Sequence, residues 1–179
     1  MNSKLKKKKG YSTKTIAFWS SMATILLVLI IVLIVRATQI RDVSSYKVVD
    51  YIYGQEMFDQ KESEYYVLFY DFNTSRETES FDKGVYQYLT YYRDNAKATK
   101  IFGMDSDENR NKLCLVGNNF PEQILGATEF PNKINNEESY VLKVNEETLP
   151  LLLVISDGSV TDYKTGESAI LAYLKDAIK

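Results

Sequence analysis

The stretch ETLPLLLVISDGSVTDYKTG (residues 147–166) decides how this chain is read. Leu151 to Ile155 form an unbroken apolar run of strand length, as a strand buried on both faces requires. Asp157-Gly158 then gives the sharpest short-range hairpin signal in the chain, because both residues tolerate the positive φ that a tight turn needs. Ser159 to Lys164 is expected to return antiparallel. Beyond the hairpin, residues 167–179 place Ile170, Leu174 and Ile178 on one helical face.

Upstream, YYVLFYDF (65–72) is a second strand with no polar face. From Ser75, the positions Phe81, Val85, Tyr88, Leu89 and Tyr92 recur at helical spacing, which predicts a helix ending near Asn95. TKIFGM (99–104) is a third strand. Residues 43–60 are expected to be a helix, with Val49, Ile52, Tyr53 and Met57 in phase and Gly54 as its weak point. Residues 105–136 carry scattered Gly, Pro and Asn and are expected to form a polar, loop-rich excursion. These elements predict an α/β fold, a mixed sheet flanked by helices, over residues 43–179.

The N-terminus has a different character. Lys4, Lys6, Lys7, Lys8, Lys9 and Lys14 place six positive charges and no acid in the first fourteen residues. TIAFWSSMATILLVLIIVLIV (15–35) follows with no charge. A helix of that length crosses a hydrocarbon core of about 30 Å. Trp19 stands near the lysine end, where aromatic rings favour the membrane interface. The expected organisation is a basic cytoplasmic tail (1–14), a transmembrane signal-anchor (15–35), a short linker (36–42) and an extracytoplasmic domain (43–179). The lysines hold the N-terminus in the cytoplasm. Cleavage after VRA (35–37) is the alternative, although a signal-peptide apolar region is usually about 7–15 residues long.

Setting aside the six lysines leaves sixteen basic residues against twenty-four acidic ones, about −8. That balance argues against nucleic acid as a partner, because phosphate binding needs a basic face. The chain has no histidine, and Cys114 is its one cysteine. Ser-His-Asp and Cys-His catalysis, His- or Cys-rich zinc sites and an intrachain disulfide are therefore excluded. No cofactor is expected. DSDENRN (105–111) begins like a calcium loop, but the sixth and twelfth positions are Arg110 and Val116 rather than Gly and an acid. Cys114 lies among Leu113, Leu115 and Val116 and reads as a buried small residue. Asp71, Glu77, Glu79 and Asp82 crowd the start of the predicted helix, where acids favour its dipole.

The order of elements resembles the thioredoxin-like fold. VLFYDFNTSRETESF (67–81) is similar to that family's strand, CxxC turn and helix, with Ser75 and Thr78 where sulfur would stand and Phe81 in the family's phase; Thr74 and Glu77 are the alternative pair. The 147–166 stretch is similar to the segment in which the family carries a cis-proline facing that turn, here Pro150. The resemblance implies the architecture of a thiol site without its chemistry, since Ser and Thr hydroxyls form no mixed disulfide. Ser75 or Thr74 then acts as a helix N-cap.

What remains is a groove formed by Ser75, Arg76, Glu77 and Thr78 on one side and Leu149 and Pro150 on the other. There the backbone groups of Leu149 stand free to pair with an extended peptide. The expected function is a membrane-anchored, non-redox protein or peptide binding, scaffolding or chaperone-like module, not an enzyme. The alternatives are a redox or peptide-export accessory protein using Cys114 with a partner thiol, and a structural subunit of an envelope assembly.

Overall fold

In a computed structural model of the chain, the described residues are 12–38, 42–73, 79–117, 120–133 and 138–178, with backbone alone described at 35–38. Two compact units divide the chain, Met1–Arg41 and Asp42–Lys179.

The first unit holds one helix, α1 (Thr13–Thr38). Its segment Thr13–Ile34 has a mean hydropathy of 2.6 and is long and apolar enough to cross a membrane. Its apolar side chains stand open, Trp19 and Leu33 at 65% exposure. The hydroxyls within it turn back on the helix: Ser21 donates to the Ala17 and Phe18 carbonyls, and Thr24 donates to Ser20. Such back-bonding satisfies a polar group where no water is present.

In the second unit the elements are β1 (Asp50–Tyr51), β2 (Glu64–Tyr70), α2 (Glu79–Asp94), β3 (Lys100–Asp105), β4 (Leu115–Val116), β5 (Val144–Asn145), β6 (Leu151–Ser156), β7 (Ser159–Thr165) and α3 (Glu167–Ala177). Five strands form one mixed sheet in the order β1-β3-β2-β6-β7. β1, β3 and β2 run parallel, while β6 is antiparallel to β2 and β7 to β6. The hairpin turns at Asp157 (φ 49°) and Gly158 (φ 75°), both in the left-handed region that the dipeptide was read to supply. The Leu149–Pro150 peptide bond leading into β6 is cis.

β2 is central and buried on both sides, every residue from Tyr65 to Tyr70 being 5% exposed or less. Tyr66, Leu68 and Tyr70 face a cluster with Phe81, Val85, Tyr88 and Leu89 of α2 and Ile170 and Leu174 of α3. Tyr65, Val67 and Phe69 face the opposite cluster, which contains Ile52, Met57, Cys114, Ile124, Ala127, Leu142 and Val144. One face is thus covered by two helices and the other by irregular chain. Gly84 lets the helices meet, since a Cβ there would lie 2.3 Å from Leu171 Cδ2.

Two expectations are overturned. Residues 43–60 form no helix but two short 3-10 turns, Tyr46–Val48 and Gly54–Glu56, on either side of β1. Val49 joins the α2 face of the core while Ile52 and Met57 join the other. A single helical stripe cannot divide in this way. Pairing with β3 draws the chain straight, the Ile52 N–H donating to Gly103 O at 2.9 Å. Gly54 also packs so closely on Phe130 that a Cβ would lie 2.2 Å from the ring.

The segment read as an excursion, 105–136, supplies much of the second cover. It contains the 3-10 turn Asn111–Cys114 and β4, which pairs parallel with β5. Isolated bridges join Gln123 to Lys143 and Glu129 to Val141.

The contact between Gly54 and Phe130 yields a test. Gly54→Ala is expected to destabilise the unit by about 1–3 kcal/mol through overpacking. Phe130→Leu in the same chain should recover part of that loss, a coupling measurable by denaturant unfolding in a double-variant cycle.

Candidate functional site

In a sheet with parallel strands, the crevice beyond the carboxyl ends of those strands is where ligand sites form. β2 and β3 end side by side here. The Ser106 N–H donates to Tyr70 O at 3.0 Å and carries their pairing one step past β3. Beyond this edge lies a cleft of about 180 Å³. Tyr70 and Asp71 line it from the end of β2 and the residue after it, Ser106 and Asp107 from just past β3, Lys112 from the turn before β4, Leu115 from β4 itself, and Glu146, Leu149 and Pro150 from the approach to β6.

The structure brings Leu149 and Pro150 beside Tyr70 and Asp71 at the end of β2. Ser75, Arg76, Glu77 and Thr78 lie outside the described residues, as does the N-cap position. α2 is described from Glu79, with Glu79 and Asp82 as acids in its first turn. Glu79 pairs with Lys83 at 2.6 Å, and that lysine holds its carboxyl below the usual range.

The expectation that both backbone groups of Leu149 stand free is corrected for one of them. The Leu149 N–H donates to Glu146 O at 3.3 Å, closing a 3-10 turn. Its carbonyl accepts no hydrogen bond from the described residues. The Pro150 carbonyl accepts from the Gly166 N–H at 2.9 Å, which fastens the start of β6 to the end of β7.

Asp105 and Asp107 beside the cleft are engaged by neighbouring backbone and side-chain groups. Asp105 accepts from the Asp107 N–H through Oδ1 at 3.0 Å and from Asn73 Nδ2 through Oδ2 at 2.8 Å. Asp107 pairs with Lys112 at 2.8 Å. Asn111, 1% exposed, donates from Nδ2 to the Asp105 carbonyl at 2.8 Å. Its Oδ1 accepts from the Gly54 N–H at 2.9 Å. It therefore ties the turn after β3 to the chain after β1, a role no local pattern announced. Among the described residues, no three His, Cys, Asp or Glu converge on a point that could hold a metal ion.

Cys114 is not in the cleft. It is fully buried in the second cover, and its thiol donates to the Asn111 carbonyl at 3.2 Å. Burial pushes this thiol well above the usual range. A buried thiol with no anion at neutral pH attacks no disulfide.

Beside the cleft, aromatic rings interlock around Asp82. The Tyr46 hydroxyl donates to Asp82 Oδ1 at 2.7 Å, and the Tyr70 hydroxyl reaches the same oxygen at 3.5 Å. The Tyr46 ring meets Phe72 at 4.8 Å and Tyr86 at 4.9 Å between centroids. Burial, and after it the Asp82 hydrogen bond, raises the Tyr46 phenol.

Two outcomes are expected. Cys114 should react with a thiol reagent more slowly than free cysteine across pH 7–9 and match it only in denaturant. Stability should also fall in alkali. Burial raises Tyr46, Tyr88 and Tyr173, and raises Tyr65 to about 12 against an ordinary value of 10.0. Above about pH 10 the unfolded chain releases protons that the folded chain keeps, so the unfolding free energy declines as pH rises. The stabilisation is complete below that pH and is lost as the folded phenols ionise, which urea titrations between pH 8 and pH 11 would follow.

Comparison of the chain with protein-family models, with curated proteins and with solved structures found no match in any of the three.

Proposed function

We propose that the chain is a single-pass membrane protein whose residues 43–179 form a thioredoxin-like domain outside the cytoplasm. In this reading the domain docks an extended segment of a partner protein and carries out no thiol chemistry. The fold is supported by the sheet order, in which three parallel strands are followed by two antiparallel ones, and by the helical crossover from β2 to β3. The anchor is supported by the length and hydropathy of Thr13–Ile34. The five lysines before it, with Lys14 in its first turn, support a cytoplasmic N-terminus.

The observation that carries the binding function is the cleft itself. Leu115, Leu149 and Pro150 line it among polar and charged side chains, and the Leu149 carbonyl accepts no hydrogen bond from the described residues. An extended peptide docks at such a place through main-chain hydrogen bonds, with side chains settling into the adjoining hollow. Since the Leu149 N–H is already engaged, the pairing runs through the carbonyl. The burial of Cys114 weighs against the redox alternative.

A photoreactive residue at Glu146, on the rim of the cleft, and another at Lys175, on the exposed side of α3, make the test in native membranes. A discrete adduct from Glu146 alone is the expected result. Equal capture from both positions, or none from either, would remove the cleft as a docking site.

A further inference from the structure

The turn that follows β3 separates two hollows. Ser106, Asp107 and Lys112 line the docking cleft, while Asp105, Glu108 and Asn111 line a second cavity of about 250 Å³ together with Tyr51, Ile52 and Tyr53. This cavity lies beyond the carboxyl ends of β1 and β3. Neighbouring strands stand about 4.8 Å apart, so it opens within about 10 Å of the cleft.

Its walls are aromatic and acidic, and most of them are held in place. Tyr51 and Tyr53 remain 50% and 41% exposed. The Tyr51 ring rests over Gly103 of β3, where a Cβ would lie 3.2 Å from Tyr51 Cδ1, and it meets Phe72 edge to face at 5.0 Å. The Tyr53 N–H donates to Glu56 Oε2 at 3.0 Å. Asp105 is fixed by the Asp107 N–H and Asn73 Nδ2, and neither of those donors is charged. The Glu108 carboxylate is engaged by no hydrogen bond or ion pair among the described residues. One cation already uses the rim: Arg110 sets its guanidinium 4.7 Å from the centre of the Tyr53 ring without lining the cavity. A ring face attracts such a group through its quadrupole, the more so where water is displaced.

We propose that this cavity takes a basic side chain of the partner segment, arginine before lysine, a role that rests on the docking reading of the neighbouring cleft. The described lining holds two acids and no base, so its charge is complementary to a cation. Exposed rings beside carboxylates suit a planar guanidinium, which stacks and hydrogen-bonds at once, better than a compact ammonium. An extended chain advances about 3.3 Å per residue, which puts the basic residue about three positions from the part of the segment bound in the cleft.

The test needs no docked partner. The full chain in detergent micelles, its tyrosines labelled in their ring carbons, is titrated with acetyl-arginine amide and with acetyl-citrulline amide, an uncharged control of the same length. The arginine probe is expected to shift the Tyr51 and Tyr53 ring signals, and the citrulline probe to bind about fivefold more weakly. Glu108→Gln and Tyr53→Leu should each weaken the arginine probe about threefold while the amide signals of β2 stay unchanged. An equal response to both probes, no response at either ring, or an unchanged affinity in the Glu108→Gln chain overturns the pocket. If Tyr53→Leu disturbs β2, the fold has changed and Glu108→Gln alone decides. A response to arginine without an adduct from Glu146 keeps the cation pocket and removes the docking reading. The adduct without the response removes the pocket and keeps the cleft.

Discussion

Burial of β2 on both faces is the constraint from which the rest of the structure follows. A strand with no polar side needs two covers, and each must bring enough apolar surface to displace water from a row of aromatic and aliphatic side chains. One cover is regular: α2 and α3 pack together, allowed close approach by Gly84. The other is assembled from pieces far apart in sequence, namely the turn around Met57, the segment from Cys114 to Ala127, and Leu142 with Val144. Asn111 ties the turn after β3 to the chain after β1 and satisfies the Gly54 N–H, a buried group that costs about 1–3 kcal/mol when left unpaired. The cleft opens where this patchwork cover meets the end of the sheet.

Much of the fold could be read in advance because its elements carry their own periods. β2 and β6 are continuous apolar runs, the hairpin rests on Asp157-Gly158, and α2 and α3 repeat their apolar residues at helical spacing. β1 failed for a physical reason. Two residues are too few to show an alternating pattern, and Val49, Ile52 and Met57 matched a helical phase by coincidence while serving opposite faces. β4 and β5 are equally short, and their pairing depends on a contact across almost thirty residues of sequence.

The site divides in the same way. Leu149 and Pro150 were legible because they open a strong strand and hairpin pattern. Tyr70 and Asp71 follow from β2. Lys112, Leu115 and Glu146 were not legible, because they reach the cleft through the irregular cover, where no repeat marks position. The Tyr46–Asp82 contact joins residues thirty-six apart that show no local relation. The four turn residues Ser75 to Thr78, central to the family resemblance, lie outside the described residues, so the site as described rests on its other wall.

The two margins of the sheet bear on how many copies of this chain can share a small area. An unpaired strand edge is a template on which a second molecule can add its own strand. β1 offers only two residues of edge. β7 is longer, but the Val160 N–H and carbonyl are already bonded to Ala127 and Gly126. Further along it, Asp162 and Lys164 form an ion pair, placing charge where a stacking neighbour would have to lie. A sheet closed at one margin by brevity, and at the other by a covering loop and charge, resists polymerising edge to edge. Copies can therefore crowd together without their sheets merging.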